Sequence, residues 1–322
     1  MLNENRRLAR IRVAAGALSV AAGCAMTSAP AAAQGCDSAC LEDLVSSYVD
    51  ALVANDPTAA PVTSDVIFSE NGVVQPIGEA SWLTADARGS YWLPFTDVEA
   101  GQAGVFTTLE ENGETNLMTL RIKVEGRRIV EAEQTYVRPS SATFRPIVQD
   151  APDPRLLAPL APAERVGRDE LIAIADSYFE GLDTLESSEI TPFWDNCQRR
   201  ENGMITASNP DPSASEMARR DCKAQFDTGF STIVTDIRDR RIEVADVERG
   251  LVFGHAFFDH SGEAGGTGPF ARPFTFQIAE VFKVREGKIQ QIEAILFSVP
   301  YRLRTDFDRL REAAGVEPNH GR

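Results

Sequence analysis

One segment of the chain combines an imidazole and a carboxylate with aromatic neighbours. Residues 252–260 read Val-Phe-Gly-His-Ala-Phe-Phe-Asp-His, and in a β-strand Phe253, His255, Phe257 and Asp259 share one face. In a dry pocket His255 can act as a general base, with Asp259 as its orienting group or as a second acid. They lie ~13 Å apart along a strand, so each needs a partner from elsewhere. The alternative is that His255 is a hydrogen-bonded core histidine.

His260 ends the same segment and points to the other face of a strand. We expect it to contact a substrate, alongside Phe253 and Phe257. The alternative is that Asp259 and His260 only open the following turn. Alternate faces also argue against a metal site built from these side chains, so no metal is expected. No phosphate-binding loop or Gly-rich dinucleotide fingerprint occurs in the sequence, and no cofactor is expected.

A second polar stretch, residues 195–203, follows Trp194. Within it Arg199 can hold a carboxylate or a phenolate, and Asn202 can help to position such an anion. We predict that both contact the substrate, with Trp194 beside them. The alternative is a solvated turn, in which Asn202 supplies a positive φ angle.

Four cysteines remain beyond the N-terminal segment, at positions 36, 40, 197 and 222. They allow three pairings, and we favour Cys36–Cys40 and Cys197–Cys222, which keep each pair within one domain. The second disulfide would stabilise the fold by ~3.5 kcal/mol through its 25-residue loop. The alternative, four free thiols, is disfavoured in an oxidising compartment.

The elements that must position these residues occur twice. A helix-like pattern at Leu41, Tyr48 and Leu52 recurs 130 residues later, and the triplet Glu-Asn-Gly at 70–72 recurs at 201–203. Near the end of each copy two alternating, strand-like runs recur with an offset of 160 residues. The second copy therefore carries about 29 extra residues, and this self-similarity predicts a tandem duplication.

Each copy has a helix first and strands after it, which predicts an α+β layer with the helix on one sheet face. Six prolines between positions 139 and 162 indicate a linker. We therefore predict a signal peptide at 1–33, a first domain at 34–138, a linker at 139–167, a second domain with a disulfide loop at 168–310, and a flexible tail at 311–322.

This layout resembles the nuclear-transport-factor-2-like superfamily, and its SnoaL-like branch in particular. Residues 41–52 with 118–137, and 171–182 with 276–299, carry the resemblance. It implies two tandem cone-shaped domains, each an N-terminal helix packed on a strongly bent antiparallel sheet. Such cones often hold a small apolar molecule. The enzymes among them generally work without a cofactor, and many other members only bind or dimerise.

The first 33 residues predict export. Four arginines precede an apolar run from Val13 to Met26, and Ala31 to Ala33 offer a cleavage site. A lipoprotein site at Cys24 is the less favoured alternative. Cleavage near Ala33 removes four Arg and one Glu, leaving 28 basic and 47 acidic residues. Such an acidic surface argues against nucleic acid as a partner. The apolar run is also too short to span a membrane.

These features predict a periplasmic or secreted protein whose partner is a small apolar or aromatic molecule. The leading hypothesis is a cofactor-independent lyase, isomerase or hydratase with its pocket in the second domain. The alternative is a non-catalytic ligand-binding or protein-interaction module. Whether a homodimer forms is left open.

Overall fold

The computed structural model describes residues 35–139, 148–184, 189–263, 268–313 and 315. Within these ranges one arrangement of a helix followed by six strands occurs twice. The first copy comprises α1 (Ser38–Val53), β1 (Val62–Glu70), β2 (Val73–Gln75), β3 (Ala85–Asp97), β4 (Gln102–Glu111), β5 (Glu114–Glu125) and β6 (Arg128–Val137).

A short helix, α2 (Pro154–Leu157), lies in the linker before the second copy. The second copy comprises α3 (Arg168–Thr184), β7 (Phe193–Glu201), β8 (Met204–Ala207), α4 (Glu216–Arg219), α5 (Cys222–Phe226), β9 (Asp236–Asp246), β10 (Leu251–His260), β11 (Phe274–Arg285) and β12 (Lys288–Val299). A last helix, α6 (Asp306–Ala313), follows it.

The two sheets share one topology. The strand orders are β2-β1-β6-β5-β4-β3 and β8-β7-β12-β11-β10-β9. The tandem α+β arrangement predicted from the sequence is therefore confirmed. Both sheets are mixed rather than wholly antiparallel, because the first long strand after each helix runs parallel to the last strand of its copy.

Each sheet has an inner face, which packs on the helix of its own copy, and an outer face, which packs on the other copy. The inner cores contain the buried tyrosines Tyr48 on α1 and Tyr178 on α3. Between the outer faces, Phe95 stacks on Phe253 with ring centroids 4.8 Å apart. A third core, formed by residues of both sheets, lies there. The copies are thus joined by a buried apolar interface.

The repeated Glu-Asn-Gly triplets have a structural role in both copies. Asn71 and Asn202 adopt positive φ angles of 53° and 48°. The side-chain amide of Asn71 exchanges two hydrogen bonds with the backbone of Tyr136. That of Asn202 does the same with Leu296. Each Asn therefore extends the pairing between the first and last strands. Asn202 has the positive φ angle of the predicted alternative, but it is buried rather than solvated, and most of the stretch before it is strand β7.

Both predicted disulfides, Cys36–Cys40 and Cys197–Cys222, are present. They fit an oxidising, exported environment. Within the described ranges, no helix is long and apolar enough to cross a membrane. The predicted signal peptide, with Cys24 and Ala33, lies outside the described residues.

The tail predicted to be flexible from position 311 begins inside a helix. In α6 the Phe307 ring is buried, and three guanidinium groups approach it, those of Arg121, Arg241 and Arg311. Residues 311–313 are helical, and positions 314 and 316–322 lie outside the described residues. The helical start of this segment was missed because its anchoring partners come from both sheets.

Candidate functional site

The strand predicted to carry the catalytic face is β10, and all ten of its residues are buried. Phe253 belongs to the core between the sheets, whereas Val252 and Phe258 belong to the inner core of the second copy. The face that carries His255 and Asp259 is therefore the outer one. Our expectation that this face contacts a substrate in the pocket of the second domain is wrong, because a strand buried on both sides gives no sign of which face points inward.

His255 lies among charged residues between the two sheets. Its Nδ1 is 3.0 Å from Glu243 Oε2 and 3.8 Å from Glu133 Oε2. Its Nε2 is buried and has no hydrogen-bond partner among the described residues. The imidazole thus contacts a carboxylate from each copy and lies outside the second copy's cavity.

Arginines surround the same carboxylates. Arg241 bonds Glu133 at 2.6 Å and Glu243 at 2.9 Å, and Arg121 approaches both. Burial acts to raise the pKa of Glu133, but Arg241 and His255 hold it at about 2. Glu133, Glu243 and His255 offer ligand atoms within 4.8 Å of one another. The guanidinium groups already neutralise this set, so it fits an ion-pair network better than a metal site.

Asp259, also on the outer face, has protein partners of its own. Its carboxylate bonds the Arg238 guanidinium at 3.0 and 3.3 Å, and it accepts a hydrogen bond from Thr275. Arg238 also lies over the ring of Phe257, 4.8 Å from its centroid. Neither Asp259 nor Phe257 lines the cavity described next. The structure does not bring Asp259 and His255 together.

A cavity of about 370 Å³ lies inside the second copy. The helix α3 and the strands β7, β8, β10, β11 and β12 contribute to its walls, together with the segment between β8 and β9. Most of its surface is apolar, with the aromatic residues Tyr178, Phe258, Phe270 and Phe276. A cavity of this size and character suits a small organic molecule.

Arg199 lies at the cavity as predicted, but its donors already have protein partners. It bonds Gln225 Oε1 at 2.7 Å and Thr206 Oγ1 at 3.2 Å, and it lies 3.3 Å from Glu201. Gln225 in turn donates to the backbone carbonyl groups of Thr206 and Met217. The guanidinium is therefore held in place and partly neutralised rather than offered to an anion.

The disulfide explains how Gln225 reaches this position. Cys222 begins α5 and is bonded to Cys197 on β7, two residues before Arg199. Gln225 follows one helical turn after Cys222, with its side chain buried against the arginine. The extra residues predicted from the repeat thus form a cavity wall that the disulfide fastens to the sheet.

His260 is the second predicted residue at the cavity. Its Nδ1 lies 2.9 Å from the carbonyl oxygen of Ile233, which can only accept, so Nδ1 carries the hydrogen. Nε2 is then an unprotonated acceptor, and it is buried without a partner among the described residues. Burial lowers the pKa of His260, although the Ile233 carbonyl opposes this. The ring is therefore neutral at neutral pH and has a free basic nitrogen.

Glu280 was missed by the sequence reasoning. It shares the inner face of β11 with Phe276 and Ile278, and the residue is only 3% exposed. Its Oε2 has no hydrogen-bond partner among the described residues. Burial and the charge of Glu201 raise its pKa to about 8, while Arg199 opposes this shift. One signal in the sequence could have identified Glu280. It is a charged residue in an otherwise apolar alternation along the predicted strand.

Trp194 lies away from the cavity. The guanidinium of Arg285 lies over its ring, 5.2 Å from the centroid. Asn202, which bonds the backbone of Leu296, does not line the cavity either. Four predicted contact residues therefore lie away from the cavity: Trp194, Asn202, Phe253 and Phe257.

The corresponding space in the first copy is filled. Trp82 is buried, packs edge-on against Tyr48 and donates its indole hydrogen to the tyrosine oxygen at 3.3 Å. Strand register places Phe68 where the second copy has Arg199. It likewise places Leu120 where the second copy has Glu280. The polar, open interior is therefore a property of the second copy.

Comparison with known proteins gives limited matches. Residues 164–296 match the sequence model of a family described as a domain of unknown function (DUF8021). No curated protein matches the chain.

Three solved structures show partial similarity. A cystatin-like-fold protein from Methylobium petroleophilum is 15% identical over 34% of this chain and 84% of its own, with a TM-score of 0.28. An NTF2-like protein from Cytophaga hutchinsonii is 15% identical over 31% and 91%, with a TM-score of 0.23. AclR, a putative hydroxylase from Streptomyces galilaeus, is 12% identical over 48% and 89%, with a TM-score of 0.29.

Proposed function

We propose that the second copy binds a small apolar or aromatic molecule in its cavity, as an exported protein of the nuclear-transport-factor-2-like type. The observation that carries this proposal is the contrast between the copies. One interior is filled by Trp82, whereas the other encloses about 370 Å³ with aromatic walls and a few fixed polar groups. Such a combination is typical of small-molecule sites.

Isothermal titration with 1-naphthylmethanol, a neutral aromatic probe, tests binding. We expect saturable binding of one molecule per chain, with a negative heat-capacity change from buried apolar surface. In ¹H–¹³C NMR spectra the ring signals of His260 should shift, because its ring lines the cavity. Those of His255, on the outer face, should not. Absence of binding by this probe and by its amine and carboxylate analogues would refute the proposal.

A second candidate function is proton transfer, and the free Nε2 of His260 favours it. A neutral imidazole in an apolar cavity can remove a proton from an acidic C–H bond of a bound ketone. This would give a cofactor-independent isomerase or lyase, with His260 rather than His255 as the base. The non-catalytic alternative predicts binding alone.

Deuterium incorporation at the α-carbons of 2-tetralone, followed by NMR in D₂O, separates these alternatives. For an enzyme of this kind, the protein accelerates exchange and His260→Gln slows it by tenfold or more, whereas His255→Gln has no such effect. A rate equal to that of buffer alone leaves the binding function and rejects proton transfer.

A further inference from the structure

Carboxyl groups outnumber cations at and directly beside the polar end of the cavity. Arg199 and Glu201 form an ion pair at 3.3 Å, and both line the cavity. Glu280 does not itself line the cavity; it lies two residues after the lining residue Ile278 on the same face of β11, and its carboxyl interacts electrostatically with that pair. One guanidinium thus faces two carboxyl groups, and Arg199 is already bonded to Gln225.

No other charge compensates Glu280 among the described residues packed against it. Its strand neighbours are Gly254 on β10 and Ala294 on β12, which carry no charge. On α3, Tyr178 interacts electrostatically with Glu280, and burial raises the pKa of its hydroxyl further from neutrality, so it supplies no positive charge. The buried, unpartnered Oε2 of Glu280 therefore lacks a cation.

We propose that the ligand of this cavity is a cationic amine with an aromatic or apolar body, and that Glu280 is its counter-ion. The inference rests on the proposed binding function and specifies its ligand class. Three observations point to a cation: the unpartnered carboxyl of Glu280, the saturation of Arg199 by protein partners, and aromatic walls whose faces attract cations. The net charge of −16 also attracts cations over a longer range.

When such a ligand binds, Glu280 loses its proton and its carboxylate pairs with the ammonium group of the ligand. In the free protein Glu280 is protonated at neutral pH, because burial and Glu201 raise its pKa to about 8. An ammonium ion favours the ionised carboxylate, so the carboxyl proton leaves for solvent when the amine binds. Below pH 8 the apparent affinity for the amine should therefore rise about tenfold per pH unit.

The test compares 1-naphthylmethylamine with 1-naphthylmethanol, which has the same ring system and no charge, and with 1-naphthoate, which is anionic. We expect the amine to bind at least tenfold more tightly than the alcohol at pH 7.5, and the naphthoate most weakly. Titrations in buffers of different ionisation enthalpy should show release of about one proton per bound amine at pH 7 and none for the alcohol.

Two variants make the test specific. Glu280→Gln keeps the shape of the side chain, and Glu280→Leu places there the residue of the first copy, Leu120. In each variant the amine-to-alcohol affinity ratio should fall close to one, and the pH dependence should disappear. Equal binding of amine and alcohol by the unaltered protein would overturn this inference and leave the binding function intact. Failure of all three probes would remove the binding function itself.

Discussion

Tyr48 and Tyr178 occupy equivalent positions on the helices of the two copies, but one ring is packed in a filled core and the other lines a cavity. The ring of Tyr48 meets Trp82 edge-on, with centroids 5.1 Å apart, in a filled core. The ring of Tyr178 lies at a cavity of about 370 Å³. Since the helices and strand orders match, the difference arises from a few substitutions and from the extra residues of the second copy. The first copy thus has a filled core, and the second has a cavity.

Filling the cavity should weaken binding with little loss of stability. Ile278 lines the cavity, so in Ile278→Phe the larger ring has space available. We expect the affinity for 1-naphthylmethanol to fall at least tenfold, as measured by titration. The matched control is Met118→Phe, the equivalent position in the filled first copy. Overpacking there should cost about 1–3 kcal/mol and leave probe affinity unchanged. The reverse pattern would place the binding site elsewhere.

Loss of the Cys197–Cys222 disulfide should weaken binding as well as stability. It fastens α5 to β7, and Gln225 on α5 holds Arg199 at the cavity. In the double Cys→Ser variant we expect a loss of about 3.5 kcal/mol in the free energy of unfolding, and a clear loss of probe affinity.

The control for that experiment is the double Cys→Ser variant at Cys36 and Cys40. The disulfide that it removes closes a loop of only a few residues at the start of α1. Its effect on stability should be smaller, and probe affinity should not change. Equal losses of affinity in both variants would show that the effect is global.

The pH dependence of stability should carry a contribution from Glu280. Its folded-state pKa of about 8 exceeds the ordinary value of 4.5, so between these values the folded protein binds a proton that the unfolded chain does not. Stability from this group is therefore present below pH 4.5 and is lost as the pH rises towards 8, at up to about 1.4 kcal/mol per unit.

Urea unfolding at several pH values checks this expectation. Glu280→Gln removes the titrating group, so its stability relative to the unaltered protein should increase with pH. Glu125→Gln, at a carboxylate whose side chain is 65% exposed, is the matched control and should give a constant difference. Parallel curves for Glu280→Gln would contradict a raised pKa at this position.

The charge network between the sheets should support stability rather than ligand binding. Arg241→Met removes the cation that bonds both Glu133 and Glu243, and leaves two buried carboxylates under-compensated. We expect destabilisation by about 3–5 kcal/mol. Probe affinity should stay within twofold at a temperature where the variant is folded. A selective loss of affinity in the folded variant would instead link the network to the cavity.

Much of the fold could be predicted because the sequence repeats itself. Helix periodicity around Tyr48 and Tyr178, and the Glu-Asn-Gly triplets, located the same elements twice. The disulfides followed from keeping each cysteine pair within one copy. The strand order could not be predicted from the sequence, because the parallel contact between the first and last strands of each copy joins residues that are distant along the chain.

The site was predicted only in part. Arg199 and His260 were selected and line the cavity, whereas His255, Phe253, Phe257 and Asp259 lie on the outer face. Alternation along β10 defined two faces correctly, but both faces are buried and both carry aromatic residues, so burial alone could not orient them. Glu280 was overlooked because its significance depends on Glu201 and Arg199, which lie on another strand.

The most direct test is a crystal structure of the protein grown with 1-naphthylmethylamine. We predict difference density for one molecule inside the second copy, with its ring against Tyr178 and Phe276 and its amine directed to Glu280. No density should lie beside Trp82 in the first copy. An unoccupied second cavity at saturating probe, or density confined to another site, would contradict the view that this copy is built to hold a small molecule.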